Sequence, residues 1–159
     1  MWGKKVMDRE DYTIIVGCGR LGANLAMDLA EKGKGVLVID KDPKSFQRLP
    51  ASYGGLTLEA DATDLDVLSE AEIEKATAIV SVTNRDNVNI MVAQLAREWF
   101  HKERVICRLY DPERECVYRE LNIDTICPSI LSAKEAEKLI HEKKEVPYEN
   151  TRFAGRRIS

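Results

Sequence analysis

Two kinds of apolar pattern alternate along this chain. Short runs rich in Val, Ile and Thr are separated by longer segments in which apolar residues recur with helical spacing. The short runs suit strands covered on both faces, and the longer segments suit helices with one buried stripe. Their regular alternation, with a few turn residues between, is the pattern of βαβ units around a parallel sheet. The runs predict six strands: Tyr12–Val16, Val36–Asp40, Leu56–Ala60, Ala78–Val82, Val105–Tyr110 and Asp124–Cys127.

The helical segments carry their own start and stop signals. A first helix over about Arg20–Lys32 places Leu21, Leu25, Ala26, Leu29 and Ala30 on one face, and Gly33 supplies a left-handed stop. Asp42 before Pro43, and Asp111 before Pro112, have the order of an N-cap followed by the first helical residue. From Asn87 to Phe100 the segment is apolar on nearly all sides, which suits a helix that is part core and part subunit interface. A last helix is expected over about Leu131–Lys144. The expected fold is α/β: a Rossmann-like, doubly wound parallel sheet of six strands in the order 3-2-1-4-5-6, sandwiched as three layers, α/β/α. Residues 1–11 read as a leader, 12–144 as one domain and 145–159, with Pro147, Gly155 and no periodicity, as a tail or docking arm.

Composition narrows the function. A chain of 159 residues with 44% hydrophobic and 32% charged residues can bury a core as one domain without disulfides, and leaves no second domain to hold a substrate. No apolar stretch approaches the ~20 residues of a membrane span. A net charge of -3, with no basic cluster longer than a short pair such as Arg156-Arg157 near the C-terminus, argues against a nucleic-acid partner. The opening Met1–Glu10 lacks the apolar core of a secretory signal, so cytoplasmic residence is expected. Cys18, Cys107, Cys116 and Cys127 show no CxxC or Cys/His spacing, which argues against zinc. Cys107 and Cys127 lie in apolar runs and read as small hydrophobes, while Cys18 is either a filler of the glycine loop or a redox-active thiol.

The chemistry concentrates after the first strand. Gly17-Cys18-Gly19-Arg20-Leu21-Gly22 matches GxGxxG, follows an apolar strand directly and opens a helix. In such a loop the first glycine permits the tight turn, the second lets backbone amides approach a phosphate, and the third lets helix and strand pack closely. The helix N-terminus adds partial positive charge. Asp40 ends the next strand about twenty residues on, where a carboxylate can hydrogen-bond a ribose diol. A carboxylate there repels a 2′-phosphate and favours NAD, ATP, ADP or AMP over NADP, although Lys41 beside it works the other way. Arg20 either holds a terminal phosphate or pairs with an acid as a surface arginine.

Further candidates stand at strand ends. Asp61-Ala62-Thr63 follows the third strand; Asp61 can accept a hydrogen bond from an adenine amino group, or cap the next helix with Thr63 and Asp64. Thr83-Asn84 follows the fourth strand, placed either to contact phosphate or the second sugar, or to cap a helix. Arg108 lies in the fifth strand, where helices should cover both faces, so its charge needs a phosphate, a subunit's acid or an internal ion pair.

Together these residues resemble the regulator-of-potassium-conductance domain, the TrkA-type nucleotide-binding module of potassium transporters and some potassium channels. The similarity runs from about Tyr12 to Ala133. It is carried by the glycine loop with Arg20 as its fourth residue, by Val38–Asp42, Asp61–Asp64, Thr83–Asn89 and Ile123–Pro128. The resemblance implies a regulatory subunit that binds NAD(H) or ATP, ADP or AMP, forms homo-oligomers as dimers or rings, and acts on the gate of an integral-membrane potassium-translocating subunit. By position, Gly17, Gly19, Arg20 and Gly22 would serve the phosphates, Asp40 the ribose, Asp61 the adenine, and Thr83 and Arg108 the distal part. Two departures stand out. Ser129 replaces the acid that family members often carry after the proline, which argues against a metal-bridged site, and the chain ends before the additional domain many relatives have, so a one-domain subunit is expected. Two other functions fit the fold: a small NAD-dependent oxidoreductase and an interaction module that has lost its ligand. Against the first, His101 and His141 fall at helix ends away from the predicted cleft.

Overall fold

The six apolar runs form six strands because their β-branched side chains pack against helices on one or both sides of a single sheet. These are β1 (Tyr12–Val16), β2 (Gly35–Asp40), β3 (Leu56–Glu59), β4 (Ala78–Ser81), β5 (Val105–Arg108) and β6 (Asp124–Ile126). The computed structural model describes residues 10–142. The expected tail 145–159 and nearly all of the expected leader lie outside the described residues. All five strand pairings are parallel, and the order is β3-β2-β1-β4-β5-β6. The sheet therefore reverses its winding between β1 and β4, at the edge where open α/β sheets bind ligands.

Alternation along the strands separates two cores. Ile14, Val16, Leu37, Ile39, Ile79, Val105 and Cys107 face α2 (Leu65–Glu70), α3 (Asp86–Gln94) and α4 (Glu115–Glu120), whose Leu68, Val92, Ala93 and Tyr118 are buried against them. Ile15, Val36, Val38 and Val80 face α1 (Arg20–Glu31) through Ala23 and Ala26. Both faces of β1 and β2 are thus covered, as continuous apolar runs require. Burying each such Ile, Leu or Val stabilises the fold by about 1.5–3 kcal/mol.

The helix signals hold at most ends. Gly33, at φ +78°, stops α1, and the Gly33 and Lys34 amides return to the Ala30 and Leu29 carbonyls. Asp42 and Asp111 each cap with the side chain, accepting from the Lys44 and Glu113 amides, but the turns that follow, Pro43–Arg48 and Pro112–Arg114, are 3₁₀. Two expectations change. The Asn87–Phe100 segment is helical from Asp86 to Trp99 but not α throughout: α3 ends at Gln94 and Leu95–Trp99 continue it as a π turn closed by the Phe100 amide on the Leu95 carbonyl at 3.2 Å. One side of it is buried at Val92, Ala93 and Ala96, while Met91 and Trp99 are exposed. The last helix, α5 (Pro128–His141), begins three residues before the expected Leu131, because Pro128 takes the first helical position. Residues 131–141 of α5 are all exposed. With α5 turned outward, Ile106 and Ile126 on the α1 side of β5 and β6 are only half-buried.

Candidate functional site

The C-terminal strand ends open onto one cleft of about 940 Å³. It is lined by Gly17, Cys18, Gly19, Arg20 and Leu21 of the loop, by Asp40 and Lys41 after β2, and by Asp61, Ala62 and Thr63 after β3. Thr83 and Asn84 after β4, and Arg108 of β5, complete the set. Every candidate ligand-binding residue of the sequence except Gly22 is on this surface. Gly22 stands behind it: a Cβ there would lie 1.9 Å from the Gly17 carbonyl oxygen, so the missing side chain is what lets α1 sit directly on the loop.

The loop is shaped by contact as well as by turn geometry. Gly17 adopts φ +104°, and a Cβ there would meet the Thr83 nitrogen at 2.9 Å, so the loop lies against the end of β4. The Gly17 amide donates to the Ile39 carbonyl at 2.8 Å, which ties the loop to β2. Gly19 differs, since nothing lies within 4 Å of its Cβ position and the space it leaves opens into the cleft. Helix bonding starts only with the Ala23 amide on the Gly19 carbonyl, so the amides of Gly19, Arg20 and Leu21 precede any intrahelical partner.

Asp40 is engaged on both oxygens. Oδ2 accepts the Cys18 amide and Oδ1 accepts the Asp42 amide, each at 2.8 Å. The carboxylate therefore anchors the glycine loop while its remaining lone pairs stay available to a hydroxyl at the cleft edge. Asp61 closes an Asx turn, with Oδ1 accepting both the Thr63 amide at 3.0 Å and the Thr63 hydroxyl at 2.7 Å. Those bonds favour its ionised form and hold its pKa below the usual carboxylate value. Asp64, not Asp61, caps α2.

Cys18 is fully buried, and burial together with the nearby Asp40 charge raises its thiol pKa. Both effects suppress the thiolate, so the geometry supports the filler reading over the redox-active one. Arg108 departs from its expected surroundings. It lies on the α1 side of β5, where α5 turns away and no helix covers it, so the guanidinium faces the cleft half-buried and forms no ion pair among the described residues. Thr83 does not cap α3 in the ordinary way either, because the N-cap is Arg85, without a side-chain bond.

The cleft also holds groups that sequence reasoning missed. Arg48, from the 3₁₀ turn, and Arg85, at the start of α3, join Arg20, Lys41 and Arg108, so five cations face three carboxylates, Asp40, Asp42 and Asp61. In the sequence Arg48 and Arg85 look like ordinary surface charges, and only the connections bring them here. Pro128, Leu131 and Ser132 bring the first turn of α5 to the rim, giving three helix N-termini on one cleft. Asn89 was missed as a site residue as well; fully buried in α3, it bonds to Ser81, Thr83 and Arg108. Neither His101 nor His141 lines the cleft.

The geometry fits an elongated anion with a sugar: open amides and an empty Gly19 position for phosphate, surplus cations around them, and a fixed carboxylate one strand over. Among the described residues, no helix is long and apolar enough to cross a membrane.

Comparison with known proteins bears on what such a cleft is for. The chain is 47% identical over 115 residues to the Trk system potassium uptake protein TrkA of Streptomyces coelicolor, an alignment covering 72% of this chain and 52% of that protein. The chain spans about half the length of the curated relatives it matches. Among solved structures, the TrkA-N domain of the inner membrane protein ybaL of Escherichia coli superimposes with a TM-score of 0.74 at 17% identity, over 84% of this chain and 98% of that one. The GsuK channel bound to NAD superimposes with a TM-score of 0.69 at 25% identity, over 83% of this chain and 24% of that one. The model of the TrkA-N domain matches residues 13–128, most of the described fold and all of the cleft but the rim of α5, and the chain belongs to the TrkA-N domain family.

Proposed function

We propose that this chain is the nucleotide-binding regulatory domain of a potassium uptake system or channel. It binds an adenine nucleotide, NAD(H) or ATP, ADP or AMP, and passes the ligand's state to a membrane subunit. One observation carries this reading: the glycine loop presents uncommitted amides and an open Gly19 position beside five cationic side chains, with the Asp40 carboxylate held at the cleft edge one strand over. The phosphates would lie on the amides of Gly19, Arg20 and Leu21, the ribose at Asp40, and the adenine beside Asp61. Thr83, Asn84 and Arg108 would meet the distal part.

Regulation follows if two arrangements of an oligomer bind the ligand with different affinity, since that difference is the free energy available to bias a partner. The exposed Met91 and Trp99 on the α3 side offer an apolar surface for a second copy of the chain. Held to a membrane subunit in this way, the domain would sit in the cytoplasm at the inner face of the membrane. A catalytic role has little support, because neither histidine reaches the cleft and the thiol that does is buried with its thiolate disfavoured. Calorimetric titration of the purified chain with AMP, ADP, ATP and NAD tests the proposal. Saturable binding of at least one is expected, and absence of heat with all four would overturn it.

A further inference from the structure

Asn89 is a polar side chain with no solvent exposure, at the head of the buried helix face that Val92 and Ala93 continue. A buried carboxamide is tolerated only when its donors and acceptor are all met, and here they are met from two strand ends. Its Oδ1 accepts the Thr83 amide at 2.8 Å, the Thr83 hydroxyl at 2.6 Å and the Ser81 hydroxyl at 3.2 Å. Its Nδ2 donates to the Thr83 carbonyl at 2.9 Å and to the Arg108 carbonyl at 3.1 Å. One side chain of α3 thus fastens both the end of β4 at Thr83 and the main chain that carries the Arg108 guanidinium.

A second bond set works in the same direction. The Asp86 carboxylate, in the first turn of α3, accepts the Tyr110 amide at 2.9 and 3.0 Å and the Asp111 amide at 3.2 Å. The loop beyond β5 is held to the same helix end. The half of the cleft beyond the glycine loop is therefore built on α3, whereas Asp40 and Asp61 are held by bonds local to β2, β3 and the loop.

We propose that Asn89 is a positioning residue for the distal half of the cleft: it touches no ligand, and it sets the affinity for whatever lies beyond the first phosphate by fixing Thr83 and Arg108. This rests on the nucleotide reading above. Because AMP ends at its one phosphate while NAD continues across the switch point, the two ligands separate positioning from general stability. In Asn89→Leu, NAD affinity is expected to fall about tenfold and AMP affinity less than about twofold, the scale at which packed networks couple sites. Equal losses for both ligands, or none, would overturn the proposal.

A measurement on the unaltered chain guards against a variant that does not fold. The side-chain amide resonance of Asn89 should move on saturation with NAD and stay near its free position with AMP. Equal movement with both, or no movement with either, refutes the positioning role. A wild-type chain that binds neither ligand overturns the nucleotide reading itself, and is told apart from these outcomes by the same titrations.

Discussion

Asp40 and Cys18 are joined across two strands: the carboxylate Oδ2 of Asp40, at the end of β2, accepts the backbone amide of Cys18 in the glycine loop at 2.8 Å. The acid proposed to meet the ribose is therefore also the clasp of the glycine loop. A residue with both duties couples ligand affinity to the order of the loop.

Replacing Asp40 should show both effects together. Asp40→Ala leaves the Cys18 and Asp42 amides without their acceptor and removes the proposed partner of the ribose. A lowered melting temperature and nucleotide binding weaker by about 1–3 kcal/mol are expected. Asp40→Asn keeps an acceptor for one amide and should melt closer to wild type. If Asp40→Ala weakened binding with no change in melting, the clasp would have no energetic role.

Gly19 and Gly22 should separate binding from folding. The Cβ of Gly22→Ala has to displace a backbone carbonyl 1.9 Å away, so α1 must lift from the loop. A loss of stability of at least about 1–3 kcal/mol is expected, the usual cost of overpacking. Gly19→Ala meets nothing within 4 Å, so its melting should stay near wild type while the methyl group takes the space proposed for a phosphate. Thermal melts paired with nucleotide titrations read both, and an equal loss of stability in the two variants would refute the distinction.

The contrast between these glycines shows what the sequence can and cannot carry. The GxGxxG spacing with Asp40 marks the loop, because strand, turn and helix must follow one another for the fold to close. The strands are legible for a related reason: Ile14, Ile15, Val36 and Val38 are buried on both faces, and only a parallel sheet hides such runs. The change of α3 into a π turn was not legible, since its apolar spacing continues unbroken from Val92 to Phe100. Nor was the open side of β5. Arg108 looks like a charge sealed between helices until α5 is seen to leave the sheet. Asn89 was hidden most completely, because its partners include a carbonyl nineteen residues away that only the parallel pairing of β4 with β5 brings near.

The cysteines give a pH prediction. Burial, with Asp86 nearby, pushes the Cys107 thiol up to about 12 from an ordinary 9.0, and Cys18 is raised as well. A raised folded-state pKa means the fold favours the protonated thiol. That contribution is complete below about pH 9 and is lost as the pH climbs through the folded value. Stability measured by denaturant titration should therefore decline above about pH 9, and less steeply in Cys107→Ala relative to that variant's own neutral value. At pH 8, alkylation followed by mass spectrometry should label the exposed Cys116 first and leave Cys18 and Cys107 unmodified until the chain unfolds. Rapid labelling of Cys107 in folded protein would contradict its burial.

Arg108 offers the sharpest separation of stability from affinity. Its guanidinium is half-buried at the cleft without an ion pair among the described residues, so the free chain bears a desolvation cost that nothing repays. A bound anion would repay it through charge-assisted hydrogen bonds, which are about twice as strong as neutral ones. Removing the charge should then move two measurements in opposite directions. Arg108→Gln is expected to melt at or above the wild-type temperature while its affinity for NAD or ADP falls by about tenfold. Its binding should also depend less steeply on salt, since one fewer cation contributes to screening-sensitive attraction. A variant that lost stability and kept its affinity would show that Arg108 serves the fold and not the ligand.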